Sequence, residues 1–216
     1  MNENGEILNF PLYHGTSSIF LDSIQKSGLG SINIIKKYQV MDMFSVLVIA
    51  FQKNYDDLEW WQLYGHFCEK MVSNSVTKGG FNYRYGGIYL SPSLQTTKRY
   101  ACSNPYGSEL ITYFKYTYEE LYKINPKLAE GIFPLHHPLR AILAKTGTLV
   151  VLEINNIPKE HLTTEQGEPI DDQLECMYDL QKNLSDVETD IIWQQYNFES
   201  KYVIEPNNLR VLELHD

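Results

Sequence analysis

Cysteine is scarce in this chain: Cys68, Cys102 and Cys176 are the only three in 216 residues. They lie far apart without the spacing of a metal site, and an odd count argues against a disulfide framework, so a reducing, cytoplasmic setting is expected. Long hydrophobic runs are missing as well. The most apolar stretch, residues 40–51, contains Asp42 and falls short of the roughly 20 residues that a bilayer-spanning helix needs, so no membrane association is expected. Residues 1–10 are polar and acidic and lack the charged-then-apolar layout of a secretory signal. Basic charge is in deficit: 18 Lys and Arg against 27 Asp and Glu give a formal net charge of −9, with no lysine or arginine run. That excludes a large footprint on duplex phosphates and leaves a single-stranded substrate open. His136-His137 is a poor metal pair, because adjacent side chains diverge and no cysteine or carboxylate lies at ligand spacing; a turn is expected there, and no metal.

Tyrosine, by contrast, is abundant at 16 residues. Its flat apolar face and polar tip suit ligand pockets as well as cores. With 43% hydrophobic and 21% charged residues the composition is that of a globular protein, and the length fits a single domain over 1–216.

Patterning predicts an α+β fold. Leu12-Tyr13 leads into His14-Gly15-Thr16-Ser17-Ser18, after which Ile19, Phe20, Ile24 and Leu29 fall at helical spacing, with Ser17 or Ser18 as cap and Gly28 as stop. Residues 40–75 read as two packed helices separated near 54–57, within a helical insertion at about 38–78. Trp60-Trp61 is expected to pack in the core or a lid. Gly79-Gly80, an aromatic stretch at 81–85 and Gly86-Gly87 precede the strand-like Ile88-Tyr89-Leu90, and helical character resumes over 96–102. Residues 103–146 form a variable insertion with turns at Asn125-Pro126 and His136-His137-Pro138. A buried strand is expected over 148–154, a helix or strand start over 187–196, and two closing strands at 202–204 and 209–214. Asp171-Asp172 reads as a solvated turn.

Two segments carry chemistry. The first is Leu12-Tyr13-His14-Gly15-Thr16-Ser17, followed by Gly28-Leu29; the second is Gly86-Gly87-Ile88-Tyr89-Leu90, followed by Thr97 and by Tyr100, 11 residues after Tyr89. Together they resemble the poly(ADP-ribose) polymerases and the wider diphtheria-toxin-like, His-Tyr-Glu branch of the ADP-ribosyltransferases. The resemblance implies a split antiparallel β-sheet core with flanking helices, and NAD as co-substrate. It implies that His14 hydrogen-bonds the nicotinamide ribose, that Gly15 holds the carboxamide through its backbone where a side chain would block close approach, and that Thr16 supports the ribose. Tyr89 and Tyr100 would sandwich the nicotinamide ring, and Thr97 would offer its hydroxyl to the carboxamide.

Cleaving the nicotinamide–ribose bond develops positive charge on the sugar, so a carboxylate aimed at the ribose is expected. The family places a glutamate at the start of a late strand. Aligning Tyr202-Val203-Ile204 with that strand puts Lys201 at the catalytic position, with Glu199 two residues earlier. Residues two apart share a face of a strand, so Glu199 reaches the pocket if the strand starts earlier or carries a bulge. Glu205 precedes Pro206 and is expected beyond the pocket.

The function the resemblance implies is mono-ADP-ribosylation of a macromolecular acceptor, protein, RNA or DNA, by a stand-alone intracellular catalyst laid out like bacterial toxin–antitoxin or phage-defence effectors. A neutralising antitoxin is then an expected partner, docking on the helical surface at 40–75. Three other functions compete. An RNA 2′-phosphotransferase shares Tyr-His-Gly-Thr and Gly-Leu but has histidine where Tyr89 stands and a basic leading region. An NAD glycohydrolase would use water as acceptor, and an inactive NAD-pocket module would explain Lys201.

Overall fold

Ser17 closes one element and caps the next. It ends strand β1 (Leu12–Ser17), and its Oγ accepts the Ile19 N–H at 3.4 Å at the start of helix α1 (Ser18–Ser27). Gly28, at φ 89, then stops the helix. The chain continues through α2 (Ile34–Lys37), α3 (Val40–Asn54), α4 (Glu59–Val72), β2 (Ile88–Leu90), α5 (Leu94–Ser103), α6 (Glu109–Ile124), α7 (Pro126–Ile132) and α8 (Leu139–Leu143). It ends with β3 (Leu149–Ile154), β4 (Leu162–Thr164), α9 (Asp171–Gln181), α10 (Asp186–Trp193), β5 (Phe198–Ser200) and β6 (Leu209–Leu212). The computed structural model describes residues 6–75, 82–182 and 184–213; Gly79-Gly80, Phe81 and the end of the segment expected as a strand at 209–214 lie outside them.

The fold is α+β, and the chain divides into two compact units. The first comprises Met1–Ser31, Gly87–Gly107 and Gly147–Asp216. It holds two three-stranded antiparallel sheets, ordered β1-β3-β6 and β2-β5-β4. A single bridge, Tyr13 with Ser91, connects β1 to β2. The inward residues of both sheets, among them Leu12, Leu152, Ile154, Leu90, Leu162 and Phe198, share one core. The second unit, Ile32–Gly86 with Ser108–Thr146, is helical in its described elements. Phe114 is fully buried there, edge-on to Phe44 and Phe133 at 6.3 and 5.1 Å. Arg140 braces α8, donating from Nε to the Pro134 carbonyl at 2.8 Å with its guanidinium over the rings of Phe133 and Tyr118. Trp61 stacks on Phe51 at 5.0 Å in the core, whereas Trp60 packs against Tyr64.

Two local expectations change, and one strand is added. The strand expected at 202–204 is replaced by β5 a few residues earlier. The cause is Ser200, whose Oγ donates to the Tyr202 carbonyl at 2.8 Å and bends the chain, so that Ile204 makes only a single bridge, with Leu29. Asp171 and Asp172 are not a turn but the first turn of α9, where negative side chains suit the N-terminal end of a helix. β4, which no reading of the sequence placed, pairs with β5. Burial pushes the Cys68 thiol up to about 11 against an opposing hydrogen bond with Thr117. Among the described residues no helix is long and apolar enough to cross a membrane, and no three His, Cys, Asp or Glu side chains gather as a metal site.

Removing the central ring of the second unit leaves a large cavity, so Phe114→Ala is expected to cost about 3–5 kcal/mol in urea unfolding. A loss below about 1 kcal/mol would show that Phe114 is not central to that core.

Candidate active site

Strand β1 pairs with β3 along its whole length, whereas its pairing with β2 stops after Tyr13. Its even-numbered residues face β3, with Leu12 opposite Ile154 and His14 opposite Leu152, and Ser18 N–H continues the series by donating to the Thr148 carbonyl at 2.9 Å. The odd-numbered residues therefore turn their backbone groups away from β3. Tyr13 uses both of its groups on Ser91, at 2.8 and 2.9 Å. In a regular antiparallel ladder the next such pair would be Gly15 with Tyr89. It does not form. The Tyr89 carbonyl instead accepts a hydrogen bond from His14 Nδ1 at 2.9 Å. The imidazole thus stands at the carbonyl where a ladder would place the Gly15 N–H, and among the described residues the Gly15 N–H and C=O have no hydrogen-bond partner.

A carbonyl can only accept, so His14 carries its proton on Nδ1 and presents Nε2 as an acceptor. Burial lowers the His14 pKa below its usual value, opposed by the Tyr89 carbonyl, and so keeps the ring neutral at neutral pH.

Helix α5 lies on the odd face of β1. A Cβ on Gly15 would come within 2.7 Å of the Thr97 carbonyl oxygen and 3.1 Å of the Ala101 Cβ. Glycine is thus required here by helix packing, and its unpaired backbone edge is buried. Ser93 starts α5 by accepting the Thr96 N–H at 3.2 Å, and the buried Thr97 hydroxyl donates to the Ser93 carbonyl at 3.0 Å. Tyr100, one turn after Thr97 on the same helix, is 42% exposed. Thr16 is buried, its hydroxyl packed against Gly107.

Across β2-β5-β4, Tyr89, Glu199 and Thr163 form one row, so their side chains share a face. Starting β5 at Phe198 is what brings Glu199 opposite Tyr89, while Phe198 and Ser200 turn to the buried side. Lys201, at the position suggested by the motif alignment, lies just past the strand. Gly87 leaves the space that the carboxylate occupies: a Cβ there would be 2.5 Å from Glu199 Oε1 and 3.1 Å from Tyr89 Cζ. Glu153, opposite Tyr13 on β3, is bonded to Arg210 at 2.6 Å and Asn155 at 2.8 Å. Ser91 and Thr163 are neighbours of the site outside both motifs, and Gly87 lies in the second motif, which gives it no role. The Leu-Thr-Thr alternation before the turn at Gly167, φ 90, was the available signal for Thr163.

The first unit therefore brings together an imidazole acceptor, a backbone donor–acceptor pair, a tyrosine ring and a carboxylate. Because the folded chain favours neutral His14 and the unfolded chain protonates at the ordinary value, this contribution to stability is complete above about pH 6.5 and is lost as pH falls below it. The urea midpoint is expected to drop between about pH 7.5 and about pH 5.5, and to drop less in His14→Asn; equal drops would contradict a neutral His14. No family model, curated protein or solved structure matches this chain, and the meaning of the site rests on its own geometry.

Proposed function

We propose that the chain is an NAD-dependent mono-ADP-ribosyltransferase that cleaves the nicotinamide–ribose bond and passes ADP-ribose to a macromolecular acceptor. The observation that carries this reading is Glu199 opposite Tyr89, whose carbonyl is bonded by His14 Nδ1. Two small antiparallel sheets joined, among the described residues, by the single bridge of Tyr13 with Ser91 support an ADP-ribosyltransferase-like split sheet.

A primary carboxamide complements the open edge of Gly15: its N–H donates to the Gly15 carbonyl and its oxygen accepts from the Gly15 N–H. Nicotinamide at that edge then lies beside the Tyr89 ring, with Tyr100 on α5 as the second aromatic face. His14 Nε2 accepts from a ribose hydroxyl. Thr97 and Thr16 act from behind, Thr97 by fixing α5 and Thr16 by supporting the turn into α1.

As the bond breaks, nicotinamide leaves with the electron pair and positive charge grows on the ribose. The Glu199 carboxylate stabilises that charge where it develops. An acceptor lone pair then forms the new bond to the same carbon, and the acceptor's proton leaves through Glu199 to solvent. The sum is NAD plus acceptor giving ADP-ribosyl acceptor, nicotinamide and a proton.

Glu199→Gln is expected to lower nicotinamide release by about 10²–10³-fold while NAD still binds in calorimetry. Gly87→Ala is expected to lower it as well, by driving the carboxylate from its place, with little loss of stability because the group that must move is the end of a flexible side chain. Wild-type protein that neither binds nor cleaves NAD, or a Glu199→Gln variant that cleaves it at the wild-type rate, would overturn the proposal.

A further inference from the structure

Glu199 has two cross-strand neighbours in different surroundings. Tyr89 lies toward His14 and Gly15, where the proposed reaction places nicotinamide. Thr163 lies on β4, at the edge of its sheet. With the Tyr89 side taken by nicotinamide in the proposed reaction, the β4 side of Glu199 is left for the acceptor.

The chain on that side is arranged for contact. Lys201 N–H donates to the His161 carbonyl at 2.8 Å, which extends the β5–β4 ladder by one step and, by alternation, puts Lys201 on the face of Glu199. Lys201 is exposed; its ammonium reaches the neutral Glu160 carbonyl at 3.4 Å, and among the described residues no carboxylate pairs with it. Tyr202 is 56% exposed, with its ring 4.6 Å from that of His161. The Ser200 hydroxyl holds the backbone of Tyr202 at both its carbonyl and its N–H. An aromatic face is thus presented to solvent in a fixed place, so little conformational freedom is lost on contact.

Resting on the reading of Glu199 as the catalytic carboxylate, we infer that Lys201, Tyr202 and His161 form the acceptor platform of this site and that the acceptor is single-stranded nucleic acid. The Lys201 ammonium takes a backbone phosphate, and a base stacks on the Tyr202–His161 ring pair. Positive charge that takes the backbone and aromatic faces on which bases stack are the two elements of single-strand sites that tolerate any sequence, and this platform supplies one of each. It serves a chain of net charge −9, because the positive charge is needed at one point beside the carboxylate and not along a stripe.

Fluorescence anisotropy of labelled single-stranded DNA and RNA oligonucleotides, with no NAD present, tests the platform. Tyr202→Ala is expected to weaken binding about tenfold, the loss of one stacked base. Lys201→Glu is expected to weaken it at least as much and to make the salt dependence shallower by about 0.7 in slope, one phosphate contact on a single strand. Absence of oligonucleotide binding by the wild type, or binding unchanged in both variants, overturns the inference. So does label from adenylate-labelled NAD appearing in a protein pool and not in oligonucleotides. Nicotinamide release by the wild type, measured separately, distinguishes the two levels: release without oligonucleotide binding removes the platform alone, and binding without release removes the NAD reading.

Discussion

One hydrogen bond, from His14 Nδ1 to the Tyr89 carbonyl, decides what the rest of the site can be. Two strands that have just paired at Tyr13 and Ser91 do not continue to pair at Gly15 and Tyr89, where the Tyr89 carbonyl accepts from another donor. The imidazole supplies that donor, and the backbone edge of Gly15 is left unpaired. Unpaired backbone groups are costly when buried, and Gly15 is buried, so polar groups of a ligand would be favoured at this edge. The same bond fixes the tautomer of His14 and so makes its other nitrogen an acceptor.

The second sheet supplies the opposing charge. Its central strand is three residues long, and a shift of one residue would send Glu199 into the core and Phe198 or Ser200 onto the face of Tyr89. Burial of Phe198 against Leu90 and the shared core prevents that shift. Gly87 then admits the carboxylate beside Tyr89. Register, core packing and one absent side chain thus act together on the position of a single carboxylate.

Much of the local pattern was legible in the sequence. His14, Gly15, Tyr89, Thr97 and Tyr100 are set by short-range spacing on β1, β2 and α5, and the Ser17 cap and Gly28 stop follow from local chemistry. The apolar pattern of 40–75 separated α3 from α4 at the polar interval. What depends on long-range pairing was not legible. β4 is three residues long and gains its stability from β5, while the placement of β5 is settled by the Ser200 bend and not by the apolar run Tyr202-Val203-Ile204, which resembles a strand. Helix α6 was obscured because its tyrosines and threonines have weak helical preference, and its buried face, with Leu110, Phe114 and Leu121, overrides that preference. Gly15 was assigned to ligand approach alone, whereas α5 also fills the space beside it, a contact that no spacing within the motif reveals.

The most direct measurement is the backbone amide resonance of Gly15 in isotope-labelled protein during titration with NAD. With Gly15 as a carboxamide site, NAD is expected to shift this resonance and slow its hydrogen exchange, and the deamido dinucleotide, whose carboxylate lacks the N–H donor, is expected to do neither. NAD binding that leaves Gly15 unmoved, or equal shifts with the deamido form, would contradict the assignment of the split between β1 and β2 as the nicotinamide pocket.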